Sequence, residues 1–267
     1  KMYSNKENVN ILTALLVAHG VKYAVCCPGS RNSPIVHNLN VCPDIQCYPV
    51  TDERSAGFYA LGMSQCLQQP VAVCVTSGTA LLNLAPAVAE AYYQHIPLVV
   101  ISADRPQAWI DQLDGQTLPQ PDALGRFVKR AVSLPEPHDD ESRWYCNRLI
   151  NEALLERHAP VHINVPISEP FFDFSVATLP VERKIELLPA DISNQTLSHI
   201  CRMFIQSKRP LLIAGQPMNP GYDEAVCLIG DDESYVPDLV LYIGGSIVSK
   251  RLKRFLRKAK ETWVVNA

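Results

Sequence analysis

Four short polar clusters carry the residue types that grip anions and move protons: Pro28-Gly29-Ser30-Arg31-Asn32, Thr51-Asp52-Glu53-Arg54, Thr76-Ser77-Gly78-Thr79 and Asp104-Arg105-Pro106. A guanidinium offers a rigid fork of donors to carboxylate or phosphate, and a carboxylate such as that of Glu53 can hold or relay a proton. A small-residue turn that opens a helix leaves backbone N–H groups free for an anion. Taken singly, each cluster is ordinary, since Asp-Glu-Arg is a favourable first helical turn and Thr-Ser-Gly-Thr a common turn between strand and helix. Their placement makes them a candidate site. Each follows a short β-rich run, so in a parallel sheet all four meet at the carboxyl edge, where open α/β sheets bind ligands.

The elements that must position these clusters are legible from periodicity. Ser4 and Glu7 have the spacing of a capping box, and Val9, Leu12, Leu15 and Leu16 then recur at helical intervals until Gly20. Strand-like runs over residues 23–26, 46–50, 71–76, 98–103, 129–133 and 161–165 are interleaved with helical patterns over 56–66, 80–93 and 143–156. Runs apolar on both faces and joined by helices predict a doubly wound parallel sheet over residues 1–175, in the α/β class. Residues 174–192 lose the period and collect prolines and charges, as a linker does. A second, partial α/β domain is expected over 185–267, with a helix at 195–206, strands at 210–214, 239–243 and 263–265, and a helix at 250–258. The stretch 215–238 offers only 224–229 as helix for a crossover between neighbouring parallel strands, which usually needs about 10–12 residues. With a chain that stops at a strand tip, this gives the expectation of a fragment with residues missing near 226–235 and after 267.

Composition narrows the function classes. The 267 residues are 47% hydrophobic and 19% charged, with a formal charge of -3. That excludes a disordered tail and gives no general attraction to nucleic acid or anionic membrane. The longest apolar runs, such as residues 97–103, are far shorter than the roughly 20 residues of a membrane helix, and no leader opens the sequence, so a cytoplasmic protein is expected. Nine scattered cysteines include no C-x-x-C pair and are read as core thiols in a reducing compartment. His158 and His162 flank Pro160 and do not form a helical metal pair, so no metal ligand is assigned. The basic residues from Lys250 to Lys260 are read as a solvated helix face, the alternative being that Lys250, nearest the Gly244-Gly245-Ser246 turn, faces an anion. Phosphate-loop, dinucleotide and serine-elbow signatures are lacking.

The series Cys27-Pro28-Gly29-Ser30-Arg31-Asn32-Ser33-Pro34, Asp52 through Gly62, Thr76-Ser77-Gly78-Thr79-Ala80, Ala103-Asp104-Arg105-Pro106, Val161-His162-Ile163-Asn164-Val165-Pro166 and Gly244 through Leu252 resembles the 2-succinyl-5-enolpyruvyl-6-hydroxy-3-cyclohexene-1-carboxylate synthase family, the thiamine-diphosphate enzymes of menaquinone biosynthesis. The resemblance implies a pyrimidine-binding domain at 1–175, part of a central domain at 185–267, and a diphosphate-binding domain absent from this sequence that holds Mg2+ or Mn2+. It implies decarboxylation of 2-oxoglutarate and addition to isochorismate, in a homodimer or homotetramer with the active site between subunits. By the same resemblance Glu53 is the catalytic carboxylate at the aminopyrimidine N1′. Pro28, Glu53 and Thr79 line the cofactor, while Ser30, Arg31, Asn32, Arg105, Gln116 and Lys250 bind substrate. Gln107-Ala108-Trp109 departs from a Glu-Leu pair usual in the family, and the central domain is short around 226–235. An acetolactate-synthase-like carboligase is the nearest alternative, disfavoured by the arginine pair; a non-catalytic anion-binding partner subunit is another.

Overall fold

The computed structural model describes residues 2–186, 193–214, 221–230, 232–243, 245, 247 and 249–265, and the chain divides into two compact units, 1–187 and 188–267. The first unit runs α1 (Glu7–Ala18), β1 (Tyr23–Cys26), α2 (Ser33–Val41), β2 (Gln46–Pro49), α3 (Glu53–Leu67), β3 (Val71–Val75), α4 (Thr79–Asn83), α5 (Ala85–Tyr93), β4 (Leu98–Asp104), β5 (Arg130–Ser133), α6 (Asp140–Leu154) and β6 (Val161–Pro166). Its strands form one sheet in the order β2-β1-β3-β4-β6-β5, every pairing parallel. This is the expected α/β fold. β3 and β4 are buried along their whole length, as expected of central strands covered on both faces. Two apolar layers result. Leu12, Leu16 and Ile35 pack with Ile150 and Ile163 on one side, and Leu61, Leu81 and Val88 with Val73 and Val100 on the other.

The start of the chain departs from the sequence expectation. Lys6 caps α1 without a side-chain bond. Ser4 is fully buried instead, its N–H held by Asn38 Oδ1 at 2.8 Å and its hydroxyl accepting from Lys6 N at 3.2 Å. Drawn inward by this contact, Ser4 lies too far from the first turn to form the box, and Glu7 pairs with Arg143 of α6 at 2.7 Å. Helix α2, with Ile35 and Leu39 buried one turn apart, adds to the helical patterns read from the sequence. The pattern at 80–93 is two helices, α4 and α5, meeting at Leu84. Residues 174–186 lie on the first unit: Tyr3 bridges Val176, Leu179 packs on the core, and Asn147 Nδ2 donates to Glu182 at 2.7 Å. Expectations for 187–192 lie outside the described residues.

The second unit contains α7 (Asn194–Gln206), β7 (Pro210–Ala214), α8 (Tyr222–Ile229), β8 (Leu239–Ile243), α9 (Lys250–Leu256) and β9 (Glu261–Val265), with a parallel sheet ordered β7-β8-β9. Ile213, Val226, Val240, Leu252 and Phe255 form its core. All nine cysteines are free; five are buried, Cys47 is half-buried, and Cys66, Cys201 and Cys227 are exposed, so the reading of core thiols holds for only part of the set.

Polar side chains occupy the centre of the first sheet, where β4 meets β6. Ser102 lies opposite Asn164 in register, and its hydroxyl is 2.8 Å from Asn164 Oδ1 and 2.8 Å from His162 Nε2. Ser102 has one proton, donated to Asn164 Oδ1, so the neutral His162 donates through Nε2. Its Nδ1 is then a bare, unpartnered acceptor. Burial holds the His162 pKa down to about 4. The unfolded chain, with an ordinary histidine near 6.5, therefore binds more protons between these values, and the first unit loses stability as pH falls through that window. By pH 4.5 the loss from this group should be about 2–3 kcal/mol. Urea melts of the wild type and His162→Gln at pH 7 and 4.5 check this: the wild-type advantage should shrink at the lower pH, and an unchanged gap would refute it.

Candidate functional site at the carboxyl edge

The chain passes from β1 outward to β2 and then returns to β3 on the other side of β1, so the loops after β1 and β3 diverge at a topological switch point. The two strand ends stay close. Cys27 N donates to Cys74 O at 2.9 Å, and a Cβ placed on Gly29 would lie 2.5 Å from Thr76 Cβ and 2.6 Å from Asn32 Oδ1. Only glycine fits there. Asn32 is fully buried and donates to Cys27 O at 2.8 Å, which ties the turn to the strand it leaves. The structure thus puts Asn32 inside the turn, whereas Pro28 and Ser30 are exposed on it.

Glu53 begins α3, where Asp52 caps the helix by accepting from Ser55 N at 2.7 Å. The Glu53 carboxylate is half-exposed and accepts a long 3.3 Å bond from Asn83 Nδ2 of α4. Thr79 opens α4 from the exposed side, after Gly78 at φ +88°. Gly78 also packs against a third segment: its missing Cβ would sit 3.3 Å from Gln116 Cα. Gln116 is exposed with φ 56°, in the excursion between β4 and β5.

The arginines come together at one cavity of about 370 Å³, lined by Arg31, Arg105, Pro106, Trp109, Asp114, Ser168 and Glu169. Arg31 is 8% exposed, donates to Ile167 O at 2.7 Å and lies 4.7 Å from the centre of the Phe171 ring. Burial first, and Arg105 second, lower its pKa, while the Glu169, Asp104 and Asp114 carboxylates oppose the shift. Arg105 reaches Gly115 O at 3.2 Å and Asp114 at 4.0 Å, and its Nε is buried without a hydrogen-bond partner. Lys250 is exposed at the first residue of α9 in the second unit, beside Ser249, Arg251 and Arg254.

Two residues hold the edge together, one of them, Gln120, outside every cluster that the sequence displays. Asp104, buried at the end of β4, accepts from Arg105 N and from Asn164 Nδ2, both at 2.8 Å, while burial raises its pKa. Gln120, fully buried, accepts from Gly78 N at 2.7 Å. Gln120 falls in no pattern that periodicity or a local motif could assign, because Gly78 and Asn164 lie more than forty positions away.

Such an edge can bind a heteroaromatic ring beside a free carboxylate and an anionic molecule beside two guanidinium groups. Residues 7–124 match the family described as "Thiamine pyrophosphate enzyme, N-terminal TPP binding domain". That match assigns residues 7–124 to the N-terminal domain class of thiamine pyrophosphate enzymes. Across 99% of its length the chain is 48% identical, over 308 aligned residues, to the 2-succinyl-5-enolpyruvyl-6-hydroxy-3-cyclohexene-1-carboxylate synthase of Bacteroides fragilis, of which it covers 55%. The synthases of Bacteroides thetaiotaomicron and Porphyromonas gingivalis are 46% and 37% identical, over 100% and 99% of this chain and 56% and 53% of theirs. In the part that it spans, the chain belongs to the family of these synthases. It spans about half the length of the curated relatives it matches. Alignments of more than 300 positions against 267 residues show that the relatives carry residues inside the matched span that this sequence lacks.

The contact at the switch point is directly testable. Gly29→Ala should cost about 1–3 kcal/mol through overpacking against Thr76, read as a lower urea midpoint. Adding Thr76→Gly should recover part of the loss, since the contact with Asn32 Oδ1 remains; a Gly29→Ala chain as stable as wild type would show that the strand ends are free to part.

Proposed function

We propose that the complete protein is a thiamine-diphosphate-dependent synthase of menaquinone biosynthesis that decarboxylates 2-oxoglutarate and adds the resulting four-carbon unit to isochorismate. The observation that carries this reading is the pairing of Arg31 and Arg105 in one cavity on the same sheet edge as the Glu53 carboxylate. Both substrates carry more than one carboxylate, and charge-assisted bonds to guanidinium are the strongest neutral-pH means of holding them. When bound, thiamine diphosphate supplies the carbon–carbon chemistry. The residues present fit its pyrimidine side: a weakly engaged Glu53 carboxylate, with Pro28 and Thr79 exposed on the flanking turns.

In this reading Glu53 holds a proton at the aminopyrimidine N1′, which promotes loss of the proton from the reacting carbon. Arg31 and Arg105 orient substrate carboxylates, Ser30 and Gln116 border them, and Lys250 supplies a further cation from the second unit. Asn32 contributes from within, by fixing the turn that presents Arg31. Among the described residues no cluster of three His, Cys, Asp or Glu is placed to hold a metal ion, and no step is derived through one. We assign the diphosphate and its Mg2+ or Mn2+ to the half of the relatives outside this chain. A cytoplasmic homodimer or homotetramer with the active site shared between subunits completes the proposal. Among the described residues no helix is long and apolar enough to cross a membrane.

Two measurements on the full-length protein test the assignment. Arg31→Ala or Arg105→Ala should cut kcat/KM for at least one substrate more than about tenfold, because the lost guanidinium leaves a carboxylate unmatched, with cofactor affinity nearly unchanged. Full activity toward both substrates would reduce the arginines to a structural pair. Glu53→Gln keeps the shape but cannot relay a proton. Deuterium exchange at C2 of bound thiamine diphosphate should therefore slow together with turnover, and retention of both within about threefold, under 1 kcal/mol, would remove Glu53 from the chemistry.

A further inference from the structure

Gln120 lies in the excursion that leaves β4 and reaches β5, among residues held at positive φ (Asp111, Leu113, Gln116, Asp122 and Gly125). An excursion of this kind has few backbone ladders to hold it and depends on side chains. The Gln120 side chain is fully buried and its two ends face different parts of the edge. Oε1 accepts from Gly78 N at 2.7 Å. Nε2 donates to Asn164 Oδ1 at 2.8 Å and to Ala103 O at 3.1 Å, with Ser102 Oγ at 3.3 Å. The amide cannot be reversed, since reversal would set its NH2 against the Gly78 N–H and its oxygen against the Ala103 and Asn164 oxygens.

From Asn164 the connection continues. Asn164 Nδ2 donates to Asp104 Oδ2, and Asp104 Oδ1 accepts from Arg105 N. A single buried amide therefore joins the turn that precedes Thr79 to the segment that presents Arg105. We infer that Gln120 is a positioning residue which locks the cofactor-side turn at Gly78 to the substrate-side segment at Arg105, so that the two halves of the edge keep one geometry. The naming of these halves as cofactor side and substrate side rests on the proposed function; the mechanical coupling does not.

The network also accounts for the Val161-His162-Ile163-Asn164 run, whose polar members no catalytic role had absorbed. Asn164 has both ends engaged, between Gln120 and Asp104, and Ser102 and His162 complete its surroundings. A buried polar network is tolerated when its members are satisfied, and then it fixes one arrangement. Removing one partner leaves the others unpaired, at a cost of one to two powers of ten in the affected equilibrium.

The test uses two variants of the full-length protein. Gln120→Met keeps length and removes every bond; Gln120→Glu keeps the acceptor for Gly78 N and loses the donors. Hydrogen–deuterium exchange should become about tenfold faster at both 76–80 and 103–106 in Gln120→Met, but only at 103–106 in Gln120→Glu. In Gln120→Met the KM of the substrate held by Arg105 should rise about tenfold with a smaller change in kcat, and that rise should vanish in an Arg105→Ala background. Asn151→Ser, which breaks a separate buried network around His19, serves as a control that lowers stability without moving either readout. A Gln120→Met protein that melts earlier but exchanges normally at both segments and keeps its KM would overturn the inference, leaving Gln120 an ordinary buried amide. Faster exchange at both segments in a protein whose wild type lacks 2-oxoglutarate decarboxylation would uphold the coupling and refute the functional reading instead.

Discussion

Everything at the carboxyl edge depends on how closely the ends of β1 and β3 approach each other. The strands are neighbours in the sheet although β2 separates them in sequence, and the hydrogen bond from Cys27 N to Cys74 O continues their contact one residue beyond β1. At that distance Gly29 can carry no side chain, because Thr76 and Asn32 occupy the space. The turn is therefore made of backbone, and its functional groups are carried to either side of it: Pro28 faces one way, while Arg31 is directed toward Ile167 at the end of β6. Widening the gap by one methyl group would separate the two halves of the site before any charged residue was touched.

The same economy of space explains how two like charges share a cavity. Arg31 is nearly buried beside the half-buried Arg105, a placement that opposes ionisation of Arg31. What makes it tolerable is partial compensation: a backbone carbonyl, an aromatic face and the Glu169 carboxylate for Arg31, a carbonyl and the more distant Asp114 for Arg105. Compensation stops short of a close ion pair, and the Arg105 Nε has no hydrogen-bond partner. A structural pair of arginines would be expected to end in close carboxylate contacts, as Arg143 does with one bond each to Glu7 and Glu182. An unsaturated pair is suited to an anion that arrives from outside.

How much of this the sequence displays depends on the range of the interaction. The strands and the edge clusters are readable because the alternation of β-rich runs and helical patterns is local, and a parallel sheet sends every strand end to one side. Helix α2 is hidden because its polar Asn38 sits in the core, satisfied by Ser4 N and Asn10 Oδ1, residues that lie more than twenty positions away. The capping box at Ser4 fails for the same reason, since a long-range bond to Asn38 outcompetes the local one. Asn32 reads as a surface ligand from its motif and is in fact folded into the turn. In each case a hydrogen bond, long-range for Asn38 and within the turn for Asn32, decided what spacing alone left open.

The polar seam between β4 and β6 shows why such long-range bonds belong in a core at all. Apolar side chains at 102, 162 and 164 would pack at lower desolvation cost, since burying hydroxyl, imidazole and amide groups is unfavourable unless each is bonded. They would also bond to nothing at the sheet edge. With Ser102, His162 and Asn164 in place, directional contacts run from the middle of the sheet to Gln120 and Asp104, and thence to Gly78 and Arg105. Packing alone leaves loops beyond the strand ends free to adopt several positions, because apolar contacts are non-directional. Hydrogen bonds with fixed donors and acceptors select one of them. The unpartnered Nδ1 of His162 is the residual cost of that selection, and a bare acceptor is the cheaper kind of orphan to leave in a core, since no buried N–H is stranded there.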